Sequence, residues 1–167
     1  DVQGNIIARD KVVTAGTAAK LDAVPERSVI SADGYDLSYI TVDVQDKEGN
    51  FVPTADNEIY FNISGNGKIV GVDNGNSETW ERYKDYSGIW KRSAFSGKAL
   101  VIVQSTKDAG SFTLTATASG LQSDSVTIYT SEEDLTGDQI LGYETAAIVV
   151  NSGISPDELT LPVTVDA

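Results

Sequence analysis

Cysteine, histidine and methionine are all missing from this chain, and each absence removes a class of chemistry. Without Cys there are no disulfides, no thiolate nucleophile and no thiolate metal ligand. Without His there is no Ser-His-Asp triad, no imidazole general base and no ordinary zinc site. Carboxylates, Lys, Tyr and backbone groups remain. Two carboxylates suffice for acid–base hydrolysis, so composition alone leaves an enzyme open. The Asp and Glu residues lack EF-hand spacing, and no metal or other cofactor is expected. The absence of Met, at position 1 as elsewhere, is expected of a piece excised from a longer protein.

Basic residues are scarce too. Lys and Arg number 12 against 25 Asp and Glu, a formal charge of −13. Such a surface repels a phosphate backbone and an anionic membrane leaflet, so nucleic acid is excluded as a partner. No apolar run reaches the length of about 18 residues that spans a bilayer, and no membrane insertion is expected. At 167 residues and 40% hydrophobic, the chain can fill the core of one domain, with or without an extension.

What is present reads as strand after strand. Ile40, Val42 and Val44 alternate with Thr41 and Asp43 within Leu37 to Val44. Ile59, Phe61 and Ile63 mark one face of Glu58 to Ile63, and Lys68 to Val72 returns after Ser64-Gly65-Asn66-Gly67. Leu100 to Val103 is a continuous apolar run, suited to a sandwich core or to burial on both faces. Phe112, Leu114, Ala116 and Ala118 alternate, and Val126 and Ile128 give another short strand. Arg9 to Val29 has room for one or two more. No apolar stripe has helical spacing. The pattern predicts an all-β fold, an antiparallel β-sandwich.

The texture changes after Thr130. Ser131-Glu132-Glu133-Asp134 is acidic and turn-like, followed by strand-like Thr145 to Val150 and Leu159 to Val165. The expected division is a sandwich over residues 1–130 and a C-terminal extension over 131–167, packed on the sandwich or leading to the next domain.

Val72 to Phe95 stands apart, without strand periodicity of its own. It holds both Trp residues, Trp80 and Trp90, with Tyr83, Tyr86 and Phe95, and the bases Arg82, Lys84, Lys91 and Arg92. A loop this long is usually functional, and two Trp argue against disorder. The mixture suits a sugar: a ring covers the apolar C–H face of a pyranose while charged and amide groups bond its hydroxyls. Trp90 or Trp80 is the expected platform, Tyr83 or Tyr86 a second wall, and Asn76, Glu78, Lys84, Lys91 and Arg92 the hydroxyl partners. Each has a structural alternative. A Trp in a sandwich can belong to the core, a base beside an aromatic can simply lid its ring, and Asp73-Asn74-Gly75-Asn76 can be only a tight turn.

Four segments in order carry a family resemblance: Arg27 to Gly34, Val52 to Asn57, Gly67 to Asn76 and Ala94 to Val103. Together they resemble a C-terminal accessory domain of bacterial β-galactosidases of glycoside hydrolase family 2, over roughly Arg9 to Thr130. The resemblance implies an immunoglobulin-like sandwich. Trp80, Tyr83, Tyr86, Ile89 and Trp90 make the loop after Asn76 longer and more aromatic than is usual in that domain, which is similar to its galactose-binding version, carbohydrate-binding module family 71. That likeness implies binding of lactose and N-acetyllactosamine, without chemistry, in a secreted, extracellular β-galactosidase anchored to the cell wall through other parts of the protein. Galactose-terminated glycans and other domains of the parent β-galactosidase are the partners expected of a monomer. The alternatives are a structural spacer packed on the catalytic domain and, more remotely, an enzyme.

Overall fold

The computed structural model describes residues 13–84 and 87–132. The apolar stretches at 145–150 and 159–165, the extension from 133 onward, and Tyr86 lie outside the described residues.

Nine strands make two packed sheets among the described residues. In chain order they are β1 (Ala18–Pro25), β2 (Val29–Ser31), β3 (Leu37–Asp46), β4 (Glu58–Gly65), β5 (Gly67–Asp73), β6 (Trp90–Ser93), β7 (Lys98–Ser105), β8 (Gly110–Ala118) and β9 (Asp124–Ser131). One sheet has the order β1-β3-β7-β5, the other β2-β9-β8-β4-β6. All pairings are antiparallel except β2 with β9, which is parallel at the sheet edge. The expected antiparallel sandwich is therefore the observed fold. β6 is a strand the sequence reading missed, inside the segment taken to lack periodicity.

Alternation does the sorting. In β3, Ile40, Val42 and Val44 are fully buried while Tyr39, Thr41 and Asp43 face outward. Ile59 and Phe61 of β4, Val101 and Val103 of β7, and Phe112, Leu114 and Ala116 of β8 complete the shared core. The run in β7 alternates as well, Leu100 and Ile102 lying half-buried on the outer face. A period of two is what a two-layer sandwich imposes, because each sheet has one inner face.

Turn chemistry joins the layers. Between β6 and β7 the chain crosses from one sheet to the other through Phe95-Ser96-Gly97-Lys98, with Phe95 and Lys98 exchanging both backbone hydrogen bonds. Ser96 and Gly97 have φ of 50° and 77°, the positive values that a two-residue I′ hairpin requires. A Cβ at Gly97 would collide with the Val52 carbonyl oxygen and the Phe51 ring. The tip is docked: the Gly97 amide donates to Ala55 and its carbonyl accepts from Val44, at 3.0 and 2.8 Å.

The two lateral openings of the sandwich close differently. Beside β1, backbone bonds link Leu21 and Ala19 to Gln122, just before β9. Beside β5, side chains from the described residues between β5 and β6 close the gap.

Candidate functional site

Arg92 anchors the aromatic loop. It pairs with Ile59 across β4–β6, so its side chain takes the inward parity of Ile59 and is completely buried. The guanidinium reaches across to β5 and the loop. Nη1 donates to the Glu81 carbonyl at 3.0 Å, and Nη2 donates to Asn74 Oδ1 at 3.0 Å and Asp73 Oδ1 at 3.2 Å. Nε lies 3.6 Å from Glu81 Oε2, and the group stacks 5.1 Å from the centre of the Tyr83 ring. Through its two terminal nitrogens a planar fork reaches such a spread of acceptors, which a lysine cannot, while Nε makes no hydrogen bond. Arg92, named as a candidate hydroxyl partner, is completely buried and bonded within the fold.

The rest of the loop is pinned in series. Asp73 Oδ1 accepts the amides of Asn74 and Gly75, Asn74 Oδ1 that of Asn76, and Asn76 Oδ1 that of Glu78, a ladder of local turns. Asn74 Nδ2 donates to the Ser93 carbonyl at 2.8 Å. The Glu81 carboxylate accepts from both the amide and hydroxyl of Ser93. The Tyr83 carbonyl accepts the Val72 amide at 2.9 Å, covering part of the free edge of β5. The tight-turn alternative for Asp73 to Asn76 describes what the chain does, and Asn76 is partly enclosed by it.

This framework presents the remaining candidates unequally. Trp80 is 99% exposed and Tyr83 55%. Lys84 and Glu78 are exposed on the same stretch. Trp90 has inward parity, opposite Phe61, and packs partly buried against the core. Lys91 faces outward from β6 and is occupied with β4: its Nζ bonds Glu58 Oε1 at 2.7 Å and sits 5.7 Å above the Tyr60 ring. Tyr60 Oη donates to Glu58 Oε2 at 2.5 Å. The Lys91 ammonium, then the Tyr60 hydroxyl, lower the Glu58 pKa, and the carboxylate raises those of Tyr60 and Lys91. The structure therefore gathers Trp80, Tyr83, Lys84, Asn76 and Glu78 on the first half of the loop and sets Trp90 and Lys91 on the edge strand, with Arg92 between the sheets.

Sequence reasoning passed over Tyr60. Its signal was available, because in a strand whose inward set is Ile59, Phe61 and Ile63 a tyrosine at 60 must face outward. Several carboxylates serve as tethers: Asp36 to Arg27, Asp43 to Lys98, Glu58 to Lys91, Asp73 and Glu81 to Arg92.

A two-sheet antiparallel module with one stapled aromatic loop is the class these features define. The chain belongs to the glycoside hydrolase family 2 C-terminal domain 5 family, whose model matches residues 21–127. It is 46% identical over 119 residues to the β-galactosidase BoGH2A of Bacteroides ovatus, covering 71% of this chain and 14% of that protein. Identity is 30% over 115 residues to a β-galactosidase of Thermoanaerobacter pseudethanolicus, covering 69% and 13%. Among solved structures, a glycosyl hydrolase family 2 member from Bacteroides cellulosilyticus superposes with a TM-score of 0.66 at 33% identity, over 71% of this chain and 15% of that one. A β-glycosidase from Bacteroides vulgatus gives 0.65 at 28% identity, over 70% and 14%. The chain thus spans about one seventh of the relatives it matches.

Proposed function

We propose that this chain is a non-catalytic accessory domain of a β-galactosidase-like glycoside hydrolase, and that its aromatic loop binds galactose-terminated glycans such as lactose and N-acetyllactosamine. The observation that carries the reading is Trp80, 99% exposed on a loop whose base is locked by a buried arginine. A large ring held out in water on a loop with a fixed base offers a sugar face a platform, and the ordering of its own rotamers is the cost left to binding. Tyr83 beside it in the chain offers a second ring, and Lys84, Asn76 and Glu78 offer polar partners for hydroxyls. A Trp buries at most about 250 Å², so at roughly 25 cal/mol/Å² stacking yields no more than about 6 kcal/mol before ordering costs. Affinities between about millimolar and micromolar follow. Weak sites of this kind raise local substrate concentration for a tethered enzyme.

A second reading has its own support. Tyr39 and Val24 are exposed, and Leu100, Ile102 and Val70 half-buried, on the outer face of the four-stranded sheet that carries β5. They make an apolar surface suited to packing on another domain of the parent enzyme, as a structural spacer would.

Isothermal titration of the chain with lactose, N-acetyllactosamine and cellobiose separates the two. Saturable heat with the galactosides, reduced in Trp80→Ala, supports the sugar-binding reading. Absence of heat with every sugar up to about 30 mM would sink it and leave the spacer.

A further inference from the structure

A second concave surface lies on the outer face of the five-stranded sheet, where β4, β6 and β8 meet. It is a groove of about 490 Å³ lined by Tyr60, Asn62, Gly88, Ile89, Thr115 and Thr117 among others. Its floor follows from register: Tyr60 is paired with Thr117 and Asn62 with Thr115, so the outward side chains of two strands lie side by side. Its rim comes from the aromatic loop, through Gly88 and the exposed Ile89, just before β6. Trp80, Tyr83 and Lys84 are not among its lining residues.

We infer that this groove is a separate subsite for a neutral hexopyranose unit of a glycan. The volume falls within the roughly 300–1,000 Å³ of small-ligand sites. The lining joins what a sugar needs: the Tyr60 ring and Ile89 for C–H faces, the Thr115 and Thr117 hydroxyls and the Asn62 amide for the rim. The Tyr60 ring is steadied at both ends of one ion pair, its hydroxyl on Glu58 and its face under Lys91. The same pair neutralises the local charge, so the groove offers an ionic ligand no uncompensated partner, and the net charge of −13 repels an anion. An extended peptide is disfavoured because β4, at the floor, is already hydrogen-bonded on both sides, to β6 and β8, and has no free backbone to offer. A hydroxyl floor is equally ill suited to a lipid chain.

The ligand class rests on the sugar-binding reading above; the location does not. Amide and side-chain shift mapping of the isotopically labelled chain, titrated with lactose and with cellobiose, tells the two apart. Saturable shifts at Asn62, Ile89, Thr115 and Thr117, with an apparent Kd raised about tenfold in Tyr60→Ala and unaltered in Trp80→Ala, are the expected result. Tyr60→Phe keeps the ring and should bind like the parent chain, which guards against loss through misfolding. Shifts confined to residues 79–84, with the groove silent, would overturn the subsite and leave the loop reading intact. No saturable shift anywhere would overturn both.

Discussion

Arg92 and Trp80 mark the extremes of what one aromatic loop does with its side chains. The guanidinium is fully buried and joins β6 to Asp73, Asn74 and Glu81. Removing the buried guanidinium strips its hydrogen bonds and leaves its volume empty, while the partly exposed Asp73 and Glu81 regain water, so the cost is about 2–4 kcal/mol. Arg92→Ala should lose that much in urea unfolding, a large part of the roughly 5–15 kcal/mol that holds a domain. Arg92→Lys should fall between, since an ammonium keeps the charge and loses the fork. Trp80→Ala should behave oppositely. A side chain 99% exposed supports nothing in the fold, so unfolding should change by no more than about 0.5 kcal/mol while the galactoside-induced shifts of residues 79–84 disappear. A destabilisation of Trp80→Ala as large as that of Arg92→Ala would show the ring to be part of the support.

At the level of elements, two connections set the geometry. The Ser96-Gly97 turn carries the chain between the sheets in a conformation that positive φ makes glycine's own. Gly97→Ala adds a Cβ against the Val52 carbonyl and should cost about 2–4 kcal/mol, seen as a lower urea midpoint with an unchanged slope. At the other side, Asp46 ends β3 and ties the segment before β1 to the following turn. Its carboxylate accepts the Gly16 amide at 2.7 Å, the Asn50 amide at 2.8 Å and the Asn50 side chain at 3.0 Å. These donors, the Gly16 amide foremost, lower its pKa from 3.8 to about 2. A depressed folded-state pKa means the unfolded chain takes up the proton first, so the stabilisation is complete above about 4 and lost as pH falls through about 2. Asp46→Asn should therefore melt below the parent chain at pH 6, and the gap should narrow as pH approaches 2. A gap independent of pH would assign the loss to shape.

Strand-level features were legible because they are local. Ile40-Val42-Val44 and Phe112-Leu114-Ala116 announce their inner faces by alternation alone, and both are buried as read. Trp90 to Ser93 gave no such signal. It is a four-residue edge strand with one Trp, one buried Arg and polar neighbours, too short and too mixed to show a period. What makes it a strand is pairing with β4, an interaction with residues about thirty positions earlier.

For the whole molecule, the sandwich brings Gly88 and Ile89, at the end of the loop, beside the outer face of β4 and β8. The chain belongs to its family over residues 21–127 and spans about 14% of a β-galactosidase relative. The expectation at this scale is that the chain alone turns over no chromogenic β-galactoside. Measurable hydrolysis by purified chain, abolished by no contaminant control, would return an enzyme to consideration.

Composition and alternation were enough to establish an acidic all-β domain without thiol or imidazole chemistry, since those properties depend on residue types and on neighbours two positions apart. The candidate loop was also visible, because a cluster of aromatics and bases in an acidic chain needs no structure to be noticed. The direction of each side chain was decided elsewhere. Trp90 and Arg92 turn inward, and Lys91 outward, because β6 pairs with β4 in the register Phe61 to Trp90. A slip of one residue would exchange the faces, exposing the arginine and burying the lysine. Register is a long-range property, and so the split between buried anchor and exposed side chains belongs to the tertiary structure.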